Sequence, residues 1–214
     1  MGGNPLLPRR PFPDSCDGRG DGCRPSAEAG KGIAMPAPAG AAIAVGLLRA
    51  LGADSLDHPG GSLLAHVQRV REQLGQWNAR PALQLAGLCH TCYGTDGSAA
   101  VLLPLDRRAQ LAATIGAEAE RLVYFYASCD RRASYPALAE PGSVFHDRFS
   151  GSTFVPSVRQ RRDFAELTAA NELDIARVNP GFRTRWGQDL AALFTRLRPL
   201  LSEHAWQECR TVLG

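Results

Sequence analysis

The sequence predicts an all-α domain from about residue 39 to residue 214, preceded by a tail without regular structure. Apolar residues recur at three- and four-residue spacing along most of the domain. Pro, Gly and capping residues separate these runs, and neither a strand-type alternation nor a Gly-rich phosphate loop followed by Lys is present. Residues 1–38 are rich in Pro, Gly and Arg. Such a segment buries too little surface to offset its ordering entropy, so we expect it to be disordered, with Met35 as an alternative start.

Composition is that of an ordinary globular protein, with 44% hydrophobic and 21% charged residues and a net charge of +3. A basic face with interleaved aromatic residues is missing, which argues against nucleic-acid binding. No apolar run approaches the roughly 20 residues of a membrane helix. Arg9 and Arg10 are not followed by the apolar segment of a signal peptide. We therefore expect a cytoplasmic protein with reduced cysteines; its oligomeric state is left open.

The first two predicted helices are separated by a turn. Residues 39–51 form an apolar run that Gly52 ends. After the turn at residues 57–62, Ser62 is a plausible N-cap for a helix that reaches about Trp77. His66 lies on the apolar stripe of this helix, which consists of Leu63, Val67, Val70, Leu74 and Trp77; Arg69, Glu72 and Gln76 face away.

The third helix is apolar almost all round, which predicts a central position in the fold. Pro81 occupies its favoured first position, and Gly87 would let a neighbouring helix approach closely. His90 shares a face with Leu83 and is followed directly by a polar turn, residues 93–97.

The remaining elements follow the same rules. Asp106 is expected to cap a short helix that Gly116 ends, and the next helix carries an apolar stripe that continues to Asp130. Residues 135–156 are predicted to be a long loop. Three further helices are expected: one with Phe164, Leu167, Asn171, Asp174 and Val178 at helical spacing, one after Pro180, and one capped by Ser202.

Two histidines and one acid stand at core positions of three different predicted helices. These residues are His66, His90 and Asp130. Imidazole nitrogens and a carboxylate suit Zn, Fe and Mn, and a set of three protein ligands leaves coordination positions open. The sequence therefore predicts a mononuclear divalent metal site.

The segment Leu64-Ala-His66-Val-Gln-Arg-Val70, followed by Leu85-Ala-Gly-Leu-Cys-His90, resembles the opening of an HD-domain. The resemblance implies an HD-like helical bundle in which His66, His90 and the later Asp130 bind metal. Residues 58–131 also resemble an uncharacterised subfamily with a His-(Ser/Thr)-x-Tyr-Gly-Thr signature, here His90-Thr-Cys-Tyr-Gly-Thr95. The Asp that follows the second His in HD-domains is replaced by Thr91, which argues against a binuclear site and ordinary phosphohydrolase activity.

The functional expectation is a metal-dependent enzyme, of hydrolase or non-haem iron oxygenase type, acting on a small metabolite. His58, Tyr93 and Arg131 are expected to transfer protons or bind an anion. Substrate contacts are expected from Thr91, Thr95 and Asn171, and His58 or Asn171 is also a candidate for an extra metal ligand. The alternative is a degenerate HD-like domain that binds a ligand or partner without catalysis, and the Thr91 replacement favours it.

Several of these residues have a structural alternative. A single buried histidine is usually a core residue with hydrogen-bonded nitrogens, so the prediction depends on the combination. Asp130 can instead cap the following helix or pair with a neighbouring arginine. Cys89 and Cys92 form a CxxC that, with Cys129 and His90, would suit zinc. Asn171 and Asp174 can be a solvated edge or an interhelical hydrogen-bonded pair, and residues 159–162 either a solvated arginine cluster or a phosphate contact.

Overall fold

Helices dominate the computed structural model, which describes residues 37–96 and 101–214. In chain order they are α1 (Ala37–Ala50), α2 (Leu63–Gln76), α3 (Pro81–Cys89), α4 (Arg108–Ile115), α5 (Ala117–Ala127), α6 (Arg131–Ser134), α7 (Val158–Val178), α8 (Pro180–Leu197) and α9 (Glu203–Leu213). The predicted all-α class is confirmed for this part of the chain. The expected disordered tail lies, up to residue 36, outside the described residues. Within the described ranges, no helix has the length and apolarity needed to cross a membrane.

Side-chain caps fix most of the helix starts. Ser62 accepts a hydrogen bond from the backbone N–H of Ala65, and Ser202 caps α9 in the same way, both as predicted. Ser157 begins α7 with a capping box completed by Gln160. The prediction for Asp106 was wrong: it lies inside a 3₁₀ turn, Leu105–Arg107, and no side chain caps α4. The first residues that the sequence pattern assigned to the helix form this 3₁₀ turn instead.

Two short antiparallel strand pairs interrupt the helices. β1 (Asp57–His58) pairs with β2 (Gly61–Ser62), and β3 (Phe145–His146) pairs with β4 (Thr153–Phe154). The first hairpin turns through Gly60, whose φ of +79° is a backbone conformation that glycine adopts without strain. The long loop predicted for residues 135–156 is therefore partly ordered, by the second hairpin and by a 3₁₀ turn, Tyr135–Ala137.

Helix α7 forms the centre of the bundle. It packs against α2, α3 and α5 along one part of its surface and against α8 and α9 along another. Helix α2 also lies on α3, and the approach is close at Gly87: a Cβ added there would lie 2.5 Å from Leu74 Cδ1. The helices α2, α3 and α7 thus meet in one layer, and this contact positions the polar residues described next.

Candidate functional site

A buried cluster forms where α2, α3 and α7 meet. His66 comes from α2, His90 ends α3, and Asn171 lies in the third quarter of α7. The Nε2 atoms of both histidines lie 3.0 Å from the same oxygen, Oδ1 of Asn171. The two rings are 5.4 Å apart in an edge-to-face arrangement, and both side chains are excluded from solvent. The structure therefore brings together the two predicted histidines with one of the three predicted substrate-contacting residues.

The outer nitrogen of each histidine has its own acceptor. His66 Nδ1 lies 2.7 Å from Asp174 Oδ2, and His90 Nδ1 lies 2.8 Å from the carbonyl oxygen of Gly87. An ionised carboxylate and a carbonyl only accept hydrogen bonds, so each Nδ1 carries the proton and donates it outward. The Nε2 atom of each ring then faces inward, toward Asn171.

Asp174 is held in place from a second side. Arg69 donates from Nε to Asp174 Oδ1 at 2.7 Å and from Nη2 to Oδ2 at 2.9 Å, a bidentate pair. Burial raises the pKa of this carboxyl, but the hydrogen bonds from His66 and Arg69 outweigh it and hold the pKa below its ordinary value. Asp174 is therefore an anion at neutral pH and orients the His66 ring.

The inward-facing nitrogen of His90 is unprotonated at neutral pH. Burial, followed by the nearby His66, lowers the pKa of His90 to about 3. The lone pair of His90 Nε2 then faces the Asn171 carbonyl oxygen at hydrogen-bond distance. This contact is repulsive unless a positive charge lies between the two atoms or the Asn171 amide turns its NH₂ group toward the ring.

His58 covers the outer side of this cluster. It lies on β1, stacks on His66 with ring centroids 4.0 Å apart and planes inclined by 22°, and is partly open to solvent. Its Nδ1 faces the carbonyl oxygen of Pro59 at 3.4 Å. Burial and then His66 lower the pKa of His58 to about 4, so the ring is neutral at physiological pH. With its proton on Nδ1, His58 keeps an unprotonated Nε2.

Behind His90 a second set of polar residues continues the cluster. Asn171 donates from Nδ2 to Glu172 Oε1 at 3.1 Å, and Glu172 Oε1 lies 3.6 Å from Arg131 Nη1. Tyr126 stands between the two sets, with its ring 5.6 Å from that of His90 and 5.7 Å from the Arg131 guanidinium carbon. Arg131, predicted to act in proton transfer or anion binding, is therefore separated from the histidine pair by one aromatic ring.

Asp130 does not join the histidines. Its carboxylate accepts a hydrogen bond from the backbone N–H of Ala133 and caps α6. Across residues 37–96 and 101–214, no three His, Cys, Asp or Glu side chains are placed to hold a metal ion together. The geometry thus contradicts the predicted ligand triad, because α5 ends at Ala127, three residues before Asp130, and the chain turns there.

The other predicted site residues lie at the edge of the histidine cluster or outside it. The Tyr93 hydroxyl donates to Glu120 at 3.0 Å, a carboxylate that Arg108 also binds, so Tyr93 belongs to a different polar cluster. Thr91 directly follows His90, and its buried hydroxyl has no partner among the described residues. Thr95 is half-buried in the next turn, and nothing in the described ranges joins it to the histidines.

The cysteine and arginine residues that the sequence offered as a zinc site or a phosphate contact have structural roles. Within the described ranges the cysteines are buried free thiols that form no metal cluster; they are Cys89, Cys92, Cys129 and Cys209. Arg161 donates to the carbonyl oxygens of residues 138–140, and Arg159 pairs with Glu118. The arginine cluster thus ties α7 to its neighbours.

Two residues of the cluster were not predicted as site residues. Asp174 was predicted only as part of a solvated edge or of an interhelical hydrogen-bonded pair with Asn171, and Arg69 was expected to face away from the core. Asn171 and Asp174 lie three residues apart on one helix face, which is the spacing that allows two side chains to reach one partner. That spacing, together with an inward-facing histidine on another helix, is the sequence signal that could have identified Asp174 as a site residue. The Arg69 prediction failed because a long side chain on the edge of a helix can reach back to a buried acid.

Comparison with known sequences connects part of the chain to a family. Residues 47–131 match the family described as Domain of unknown function (DUF6817). The matched region covers less than half of the 214 residues; it includes the three histidines of the cluster and excludes α7. No curated protein and no solved structure matches the chain.

Proposed function

We propose that the chain binds one divalent metal ion between His66, His90 and Asn171 and acts as a metal-dependent enzyme on a small molecule. The observation that carries the proposal is the convergence of the Nε2 atoms of two buried histidines on one carbonyl oxygen. Asn171 takes the place that the sequence assigned to Asp130. In this form the site keeps two histidines of the HD-like pattern, which supports that relationship.

The donor set fits such an ion. Imidazole nitrogen and amide oxygen suit Zn, Fe and Mn. Ligands that lie about 2.1 Å from a common ion at right angles are about 3.0 Å from each other, and 3.0 Å is the distance from Asn171 Oδ1 to each Nε2. Metal-binding histidines commonly donate their other N–H to a carboxylate or a backbone carbonyl, as His66 does to Asp174 and His90 to Gly87.

The chemistry follows from a metal-bound water or substrate oxygen. A bound divalent ion would acidify the water or polarise the oxygen. His58 lies over His66 at the solvent side, and its unprotonated Nε2 accepts a proton there. Hydrolysis uses these groups with Zn or Mn, whereas an oxygenase reaction requires Fe, so the identity of the ion decides between them. The free buried thiols of the described residues support a reducing, cytoplasmic compartment.

A second function is favoured by the absence of a carboxylate from the inward-facing set. If the Asn171 amide turns by half a turn, Nδ2 donates to both histidines and Oδ1 faces Glu172. Burial raises the pKa of Glu172, and the protonated acid would then donate to Oδ1. Every polar group in the cluster is satisfied in this state without a metal. The domain would then be a helical scaffold that binds a ligand or partner without catalysis.

Metal binding separates the two functions. Chelator-treated protein should take up about one equivalent of Zn, Mn or Fe per chain, measured by dialysis and elemental analysis. His90→Ala should abolish this uptake because it removes one of the two nitrogens. His204→Ala removes an exposed histidine on α9 and should retain full uptake. Binding of less than about 0.2 equivalents by the unmodified protein would contradict the proposal and support the scaffold.

Asn171→Asp provides a sharper test of the same site. The carboxylate would stand between the two Nε2 atoms as an anionic ligand, so metal affinity should rise at least about tenfold. If the domain is a metal-free scaffold, Asn171 donates to the rings, and an ionised Asp cannot do so. The variant would then lose stability without gaining affinity for metal. Titration of both proteins with Co²⁺, followed by its visible absorption, distinguishes these results.

A further inference from the structure

The buried guanidinium of Arg131 makes a single hydrogen bond within the described part of the chain. The residue is 5% exposed, and its side chain makes one hydrogen bond, from Nη2 to the Tyr126 hydroxyl at 3.4 Å, and one ion-pair contact, from Nη1 to Glu172 at 3.6 Å. Both distances are long for charged groups, and a guanidinium carries five N–H donors. Among the described residues, most of its donors therefore lack an acceptor.

A second unpartnered donor lies beside it. Tyr135 is also 5% exposed, its ring centroid lies 5.8 Å from the Arg131 guanidinium carbon, and its hydroxyl has no partner in the described part of the chain. Buried donors that stay unpaired cost free energy, so native proteins rarely keep two of them side by side. The aromatic rings of Tyr126 and Tyr135 both lie beside the guanidinium.

We propose that Arg131 and Tyr135 bind an oxyanion, the carboxylate or phosphate group of the small molecule on which the histidine site acts. A planar guanidinium matches the paired oxygens of such a group, and the tyrosine hydroxyl supplies a further donor. Glu172 connects the two places, since its Oε1 contacts Asn171 on one side and faces Arg131 on the other. The assignment of the anion as part of a substrate rests on the proposed function, whereas anion binding itself does not.

The test is the thermal stability of metal-free protein in the presence of simple anions. At about 10 mM, inorganic phosphate or acetate should raise the melting temperature, because ligands that bind only the folded state stabilise it. A response to phosphate alone identifies a phosphate group, and a response to acetate alone a carboxylate. Chloride at the same ionic strength is the control for screening. No rise with either oxyanion beyond that in chloride would overturn the inference.

Tyr135→Phe localises the effect. The substitution removes only the unpartnered hydroxyl, so the anion-free variant should melt at or above the temperature of the unmodified protein, while the anion-induced rise shrinks. Tyr124→Phe is the matched control, because that hydroxyl donates to Asp147, away from Arg131. An unchanged anion response in Tyr135→Phe would also overturn the inference. Arg131→Met, if it folds, should lose the response entirely.

Metal binding distinguishes this failure from that of the proposed function. Tyr135→Phe should take up metal like the unmodified protein, and His90→Ala should lose metal but keep the anion response. Loss of anion binding in His90→Ala would contradict an independent anion site.

Discussion

At the scale of single residues, the cluster is decided by where protons sit. Asp174 and the Gly87 carbonyl fix the protons of both histidines on Nδ1, and burial keeps His90 neutral. The charge of Asp174 is balanced by Arg69 at the rim of the cluster. The result is two imidazole nitrogens that face a dry interior, of which the one on His90 is unprotonated, an arrangement useful for binding a cation and costly in acid.

The cost in acid leads to a prediction for His90→Gln in metal-free protein. Between pH 6.5 and pH 3, His90 gains a proton in the unfolded protein but stays neutral in the folded protein. Stability contributed by the neutral ring is therefore present above pH 6.5 and is lost as the pH falls through this window. Between pH 6.5 and about 4.5 this amounts to roughly 2 kcal/mol. The Gln variant should lose that much less over the same interval, as measured by urea unfolding.

Other titrating groups act in both proteins and largely cancel in the difference. His204→Gln, which changes an exposed histidine, should leave the pH dependence of the unmodified protein unchanged. Equal slopes for the unmodified protein and His90→Gln would mean that His90 is protonated in the folded state.

At the scale of elements, the site depends on how closely α2 and α3 pack. Gly87 lies on the contact and also provides the carbonyl that orients His90. Gly87→Ala would place a Cβ 2.5 Å from Cδ1 of Leu74, a side chain without solvent exposure. Overpacking of this kind costs about 1–3 kcal/mol, which exceeds the helix-propensity gain of about 1 kcal/mol. We expect net destabilisation in urea unfolding, together with weaker metal binding.

Gly46→Ala is the control for helix propensity. Gly46 lies inside α1, is exposed, and an added Cβ would meet no atom within 4 Å. This variant should be more stable by up to about 1 kcal/mol. If Gly87→Ala were stabilised to the same extent, the contact between α2 and α3 would have to be looser than described.

Sequence periodicity predicts faces of helices but not their partners. His66 and His90 were correctly placed inward on neighbouring helices because each lies on an apolar stripe. Periodicity could not identify the third residue of the cluster, because Asp130 and Asn171 both continue such stripes. The path of the chain decides which of the two lies beside the histidines. A turn at Ser128 places Asp130 at the N-cap of α6, while α7 packs against both histidine helices and brings Asn171 beside the two rings. The short hairpins were missed because two-residue strands have no period to detect.

At the scale of the whole molecule, the cluster and the core share one helix. Phe164, two turns before Asn171 on α7, is 2% exposed and touches an aromatic group formed by Phe125, Tyr126, Tyr135 and Phe145. This group links α5, the 3₁₀ turn at Tyr135 and the second hairpin to α7. The buried apolar residues form one continuous cluster, so the described part of the chain should unfold as a unit.

Phe164→Ala tests this dependence. Removing a buried phenyl ring from such a cluster costs about 3–5 kcal/mol, and the loss should reach the site because α7 carries Asn171 and Asp174. Phe154→Ala, on the hairpin and 38% exposed, should cost less than about 1 kcal/mol. Urea unfolding followed by circular dichroism and by tryptophan fluorescence should give coincident transitions. The tryptophans report on regions away from the aromatic group, because Trp77 follows the last residue of α2 and Trp186 and Trp206 lie on α8 and α9. Two separated transitions would mean that the hairpin region unfolds independently, and the histidine cluster would then keep its metal affinity in Phe164→Ala.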